Sequence, residues 1–209
     1  GSEMCIRDRL RRPGKLYVLA SHFHPDHFNK EVLQWREQRP DIIYIFSKDI
    51  LRHRRAQKED AVWLKKGEEY KDETLSVRAF GSTDVGVSFL LQASGKKIFH
   101  AGDLNNWHWM DESTEAEWKG AEKNFLHELD DLYAYTPEVD VAMFPVDPRL
   151  GKEYMRGAGQ FVTKIKTHIF VPMHFTPEYA KANAFRDFAE AHGVRFVSLT
   201  HRGQKIEIE

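Results

Sequence analysis

Between His22 and His27 the chain places three histidines and an aspartate, in the string Ser21-His-Phe-His-Pro-Asp-His-Phe28. The run before it, Lys15-Leu-Tyr-Val-Leu-Ala20, is short, apolar and β-prone, as a buried strand is. The residues after Phe28 read as helical. The polar cluster therefore falls where a strand ends and a loop begins. Imidazole and carboxylate are the usual ligands of zinc and similar divalent metals. Eleven histidines in 209 residues account for one or two chance pairs. They do not readily account for four potential ligands in the order His-x-His-x-Asp-His, so the segment reads as a metal-binding loop.

That string resembles the signature of the metallo-β-lactamase superfamily, and the likeness continues from about Lys15 to the C-terminus. By this resemblance His22 and His24 match ligands of a first metal, and Asp26 and His27 match ligands of a second. Ile98-Phe-His-Ala-Gly-Asp103 looks like the motif of the bridging aspartate, which makes Asp103 the residue shared by both metals. Val171-Pro-Met-His174 looks like the motif of the final histidine. One motif departs from the pattern. Where the family places a third site-one histidine, this chain reads Ala79-Phe-Gly-Ser-Thr-Asp-Val-Gly-Val-Ser-Phe89, with Ser82 or Thr83 at the histidine position. Asp84 is the nearest strong ligand. Either it replaces the histidine, or it is a turn residue bonding its own backbone and site one is weak or empty. The resemblance implies Zn2+, one or two per chain, with Mn2+ or Fe2+ as alternatives. It also implies a four-layer αββα sandwich with the metals at one edge between the sheets.

Residues Gly1 to Arg9 carry a different message. Their back-translation resembles a transposon adapter used in preparing sequencing libraries, so they read as an artefact joined to a gene fragment and are left out of fold reasoning. The other reading is a natural basic N-terminus. With the artefact reading, residues 10–209 form a single domain that lacks its first strands and leaves a sheet edge open.

Composition fits that domain. Hydrophobic residues make up 41% and charged residues 30% of the chain, which is globular rather than disordered. A formal net charge of −1 supplies no general attraction to nucleic acid or membrane. No apolar run approaches the ~20 residues that span a bilayer. The one cysteine, Cys5, permits no disulfide framework, which makes a reducing cytoplasm the default. The expected partner is a small-molecule substrate, not nucleic acid or membrane, and oligomeric state is not legible.

The elements alternate. Helices are expected at Asn29–Gln38, Lys48–Lys58, Asp111–Tyr133, Glu153–Lys166 and Glu178–His192. Strands are expected at Asp41–Phe46, Ala61–Leu64, Thr74–Phe80, Val85–Gln92, Lys96–His100, Val139–Phe144 and His168–Met173, with Arg195–Leu199 and Lys205–Ile208 closing as a hairpin. Meandering strands followed by strand–helix units suit an α/β sandwich.

The chemistry of these ligands is hydrolytic. A divalent metal lowers the pKa of bound water from ~15.7 toward ~7 and polarises a substrate oxygen. Asp26 can bind metal and also orient the nucleophile or take up a proton. The expected activity is attack by metal-activated hydroxide on a small, anionic ester, lactone or phosphodiester. The alternative is a degenerate, non-catalytic metal-binding member of the same fold. Further candidates follow strand ends. His108, in Asn105-Asn-Trp-His-Trp109, either donates to a substrate beside a tryptophan wall or lies on the surface of a loop whose tryptophans cap the core. Arg149, Lys152 and Arg156 either grip an anionic group or form a solvated helix start. Arg52-His-Arg-Arg55 reads as a solvated helix face more than a nucleic-acid contact. His100 is a second-sphere or core residue that braces a ligand.

Overall fold

The computed structural model describes residues 10–175 and 177–207. Two sheets build the domain. The smaller is parallel, in the order β1 (Tyr17–Ala20), β2 (Ile43–Ser47), β3 (Val62–Leu64). The larger has seven strands. An antiparallel meander of β4 (Glu69–Lys71), β5 (Ser76–Phe80), β6 (Ser88–Ala93) and β7 (Lys96–His100) continues into parallel β8 (Glu138–Pro145), β9 (Lys166–Met173) and β10 (Arg195–Phe196).

Side chains alternate across a strand, and here the alternation divides two cores. Val77, Ala79 and Phe89 face Ile45 and Leu64 between the sheets. Phe80, Leu90 and Phe99 point the other way, under helices on the outer face. Those helices are α2 (Glu115–Tyr135), α3 (Arg156–Lys164) and, behind a short α4 (Tyr179–Asn183), α5 (Arg186–Ala191). A 3-10 helix (Lys30–Glu37) and α1 (Lys48–Arg52) cover the small sheet, over Phe28, Tyr44, Phe46 and Ile50. The order helix, sheet, sheet, helix is the expected αββα sandwich. Residues Gly1 to Arg9 lie outside the described residues. Among the described residues β1 pairs with β2 alone, so it forms an edge.

Helix α2 starts later than its acidic run suggested. Thr114 and Glu117 form a capping box: the Thr114 hydroxyl accepts from the Glu117 N–H, and the Glu117 carboxylate accepts from the Thr114 N–H. This satisfies amides the first turn leaves without helical partners. Phe125, Leu129 and Leu132, spaced along one face, are fully buried, each worth about 1.5–3 kcal/mol.

Other boundaries also shift. Asn29–Gln38 is 3-10 rather than α, and Lys48–Lys58 shortens to Lys48–Arg52, after which Arg54 has φ 54° and ends the helix. Glu153–Lys166 resolves into a 3-10 turn at Pro148–Glu153 and α3. Glu178–His192 breaks into α4 and α5 at Ala184. The closing hairpin is absent among the described residues: β10 instead pairs parallel with Ile169–Phe170 of β9. Leu199 is held to Asn183 on α4, and Gln204 to Thr200 and Ser198, in a turn. Among the described residues no helix is long and apolar enough to cross a membrane.

Candidate metal centre

Every ligand candidate comes from a loop at the end of a strand. His22, His24, Asp26 and His27 follow β1, where His27 and Phe28 donate backbone N–H groups to the His24 carbonyl and fold the loop into a turn. Asp84 lies on the β5–β6 connection, Asp103 follows β7, and His174 follows β9. Two glycines let these loops touch. A Cβ on Gly86 (φ 77°) would sit 2.1 Å from the Ser21 carbonyl oxygen, and one on Gly102 (φ 55°) would sit 2.8 Å from the Ser21 Cβ. Only glycine meets both the backbone angle and the space.

The side chains gather into two groups. His22, His24, Asp84 and Asp103 each bring a ligand atom within 4.8 Å of the others, and Asp26, His27 and His174 do the same. Asp103 stands between them. Its Oδ2 lies 3.2 Å from His22 Nε2, while its Oδ1 lies 3.0 Å from His27 Nε2 and 3.4 Å from His174 Nε2. Asp84 completes the first group, with its Oδ2 3.7 Å from His24 Nδ1. Among the described residues its carboxylate receives no bond from its own backbone; its N–H donates instead to Ser82 Oγ. Thr83 fixes this turn against the next one, accepting from Asn105 N–H at 3.0 Å.

The arrangement fits divalent cations. His22 Nε2 and Asp103 Oδ1 are buried and, although close to one another's groups, make no well-aligned hydrogen bond among the described residues, which leaves them open to a cation. Ligand atoms within 4.8 Å of one another match the span of a cation with bonds of about 2.0–2.2 Å. Burial raises the Asp103 carboxyl, but His22 and His27 beside it outweigh that and hold it well below the usual carboxylate range. It therefore stays anionic.

Surrounding groups orient the ligands. Ser21 Oγ lies 3.1 Å from His22 Nδ1, which leaves Nε2 facing Asp103. Asp147 Oδ2 accepts from His174 Nδ1 at 2.9 Å and so turns His174 Nε2 toward Asp103. Burial raises the Asp147 carboxyl, yet hydrogen bonds from His174 and Arg149 bring it down to about 2. His174 is held at φ 62°, a left-handed backbone that a non-glycine residue rarely adopts. His100 accepts the Gly102 N–H at Nδ1 and braces the turn into Asp103. Burial and the neighbouring His27 push its pKa down to about 4, so it is neutral.

Three candidates stand elsewhere. His108 is fully buried, its Nε2 3.1 Å from the Glu153 carbonyl and its Nδ1 accepting from Met110 N–H. Both ring nitrogens are occupied by backbone, so it neither meets a substrate nor lies on the surface. Arg156 forms an ion pair at 2.7 Å with Glu122 of α2, whose Oε1 also accepts from Asn106 and Gln160, and it lines neither group of ligand candidates. Lys152 is exposed and lines neither recess beside the ligands. Arg149 does reach the site. It binds both oxygens of Asp147 and comes within 3.2 Å of His174 Nδ1. Asp147 was not singled out as a ligand brace; its place two residues before Arg149, after an apolar strand, was the available signal.

A family model described as the beta-lactamase superfamily domain matches residues 6–175. The chain belongs to the metallo-β-lactamase superfamily. Solved structures share this superfamily's fold. A proposed metal-dependent hydrolase from Parabacteroides distasonis is 16% identical, with a TM-score of 0.58 over 90% of this chain and 77% of that one. The metallo-β-lactamase fold protein YhfI from Bacillus subtilis is 11% identical, with a TM-score of 0.57 over 88% of this chain and 75% of that one. No protein of curated function matches the sequence.

Proposed function

We propose that this metallo-β-lactamase-fold chain is a metal-dependent hydrolase of a small, anionic ester, lactone or phosphodiester, with two adjacent cation positions that share Asp103. The observation that carries the reading is the orientation of Asp103, whose two oxygens face separate ligand groups. His22, His24, Asp84 and Asp103 would hold one cation, and Asp26, His27, Asp103 and His174 the other. Zn2+ suits the imidazole-rich set, with Mn2+ or Fe2+ as alternatives. Such cations supply, when bound, a Lewis acid and a water acidified toward neutral pH. The Parabacteroides neighbour, described as a metal-dependent hydrolase, supports the same class.

The protein's own groups do the rest. Asp26 has a side chain 66% exposed at the mouth of the second group, 3.4 Å from His27 Nε2. In this reading it orients an attacking water and accepts its proton, which its exposure and its contact with His27 support. Asp147, an acceptor only, keeps His174 in one tautomer, and Ser21 Oγ steadies the His22 ring through Nδ1. Trp107, whose indole N–H donates to the Asp103 carbonyl at 2.8 Å, screens one side of the site from water.

A non-catalytic metal-binding role is the second reading, favoured by Asp84 in place of an imidazole. One experiment separates them: metal analysis of protein purified and reconstituted with Zn2+, combined with assays on bis(4-nitrophenyl) phosphate and 4-nitrophenyl acetate. About two metals per chain and turnover abolished by chelation are expected. Metal binding without turnover on either substrate supports the second reading, and no bound metal defeats both.

A further inference from the structure

The ligand groups open into two recesses that meet at Arg149 and His174. One, of about 250 Å3, is lined by Asp84, Asp103, Trp107 and Trp109. Its tryptophans stack, with ring centroids 6.2 Å apart and planes at 16°. Trp107 is pinned through its indole N–H to Asp103 and lies edge-on to His174 at 5.6 Å. Trp109 rests on it with φ 44°, a left-handed backbone that costs free energy and persists only where its surroundings enforce it. The result is a rigid planar wall beside the first ligand group.

The second recess, of about 600 Å3, is lined by Asp26 and His27 together with Glu178 and Arg202. Its charges are mostly matched. Arg149 is bonded to Asp147, and Glu178 pairs with Lys181 at 2.7 Å. Asp26 is committed to a cation in the loaded protein. Arg202, delivered by the turn after β10, lines the recess and forms no ion pair among the described residues. A guanidinium with no carboxylate partner, lining a recess beside a candidate metal centre, attracts a carboxylate or phosphate.

We infer that the site takes a two-ended substrate, with a planar apolar group against Trp107 and Trp109 and an anionic group held at Arg202, so that the bond to be cleaved lies between them where the two recesses meet. This rests on the hydrolase reading and narrows its substrate to aryl-bearing or otherwise planar anions. Arg202 and Trp109 are then residues that set specificity.

The test is calorimetric titration of Zn2+-loaded protein with phenylphosphonate, methylphosphonate and benzyl alcohol. Zinc content is measured on the same samples of wild type, Arg202→Gln and Trp109→Ala. Wild type should bind phenylphosphonate more tightly than either of the other two. Arg202→Gln should weaken both phosphonates by about tenfold, the scale of one charge-assisted hydrogen bond, and leave benzyl alcohol unchanged. Trp109→Ala should weaken phenylphosphonate and benzyl alcohol and spare methylphosphonate. Arg202 is exposed, so its variant tests the inference even if Trp109→Ala fails to fold. Wild type without bound zinc defeats the hydrolase reading. Zinc-loaded protein whose phenylphosphonate affinity is unchanged by Arg202→Gln overturns the two-ended site and leaves that reading standing.

Discussion

Replacing Asp147 by Asn removes one buried charge and little volume. In the native protein that carboxylate is almost fully buried, accepts from His174 Nδ1 at 2.9 Å, and accepts from Arg149 through its backbone N–H, Nε and Nη2. These bonds lower its pKa from 3.8 to about 2 against the opposing effect of burial. At about 1.36 kcal/mol per unit of pH, the difference corresponds to ~2 kcal/mol of folding free energy at neutral pH. Because the folded-state pKa is depressed, that contribution is fully present above about pH 4 and is lost as pH falls through about 2. His174 behaves oppositely: its pKa is raised above 6.5 despite burial, through Asp147 and Asp103, so its share is present in acid and fades as pH rises through the folded value. Urea unfolding of chelator-treated wild type and Asp147→Asn across pH 2.5–7 should show a gap of ~2 kcal/mol at neutral pH that closes below about pH 4. The zinc-loaded variant should also bind metal about 10–100-fold more weakly, because His174 loses its orienting partner. A stability gap that does not change with pH would refute the assignment of the effect to the Asp147 charge.

Asp103→Ala should leave no more than one metal per chain by mass spectrometry and reduce hydrolysis below detection; retained turnover would sink the shared-carboxylate mechanism. Asp84→Ala should empty the first position while the second keeps its metal, whereas Asp84→His should tighten the first, both read by competition with a chromogenic chelator. Gly86→Ala should cost about 1–3 kcal/mol in denaturant unfolding, since it combines a left-handed backbone with a 2.1 Å clash on Ser21. His108→Ala should lower the melting temperature yet leave the pH profile of turnover unchanged, and an altered profile would restore a proton-transfer role.

The ligand set was legible in the sequence because four of its members are neighbours on one loop, and because Asp103 and His174 each stand just beyond an apolar strand. Strand ends in such a sandwich share an edge, so position along the chain predicts proximity. Direction was not legible. Arg149 and Lys152 lie on the 3-10 turn and Arg156 opens α3 just after it, yet the kink at Gly151 (φ 79°) separates the residue that reaches His174 from the one that meets Glu122 on α2. His108 looked like a loop histidine until packing enclosed it and gave both nitrogens to backbone. The C-terminal turn misled for a related reason: β-prone residues after Gly193 suggested a hairpin, while α4 and α5 returned the chain parallel to β9.

Ser21 belongs to none of the ligand groups, yet three of the ligand-bearing loops rest on it. Its carbonyl accepts from Val87 N–H, its Cβ fills the space left by Gly102, and its hydroxyl sits against His22. A change at any of these contacts moves His22, Asp84 and Asp103 together. The ligands on these loops can therefore drift only as a set. A substitution at Ser21 acts on both metal positions at once through Asp103, whereas a change at an outlying ligand such as Asp84 acts on one.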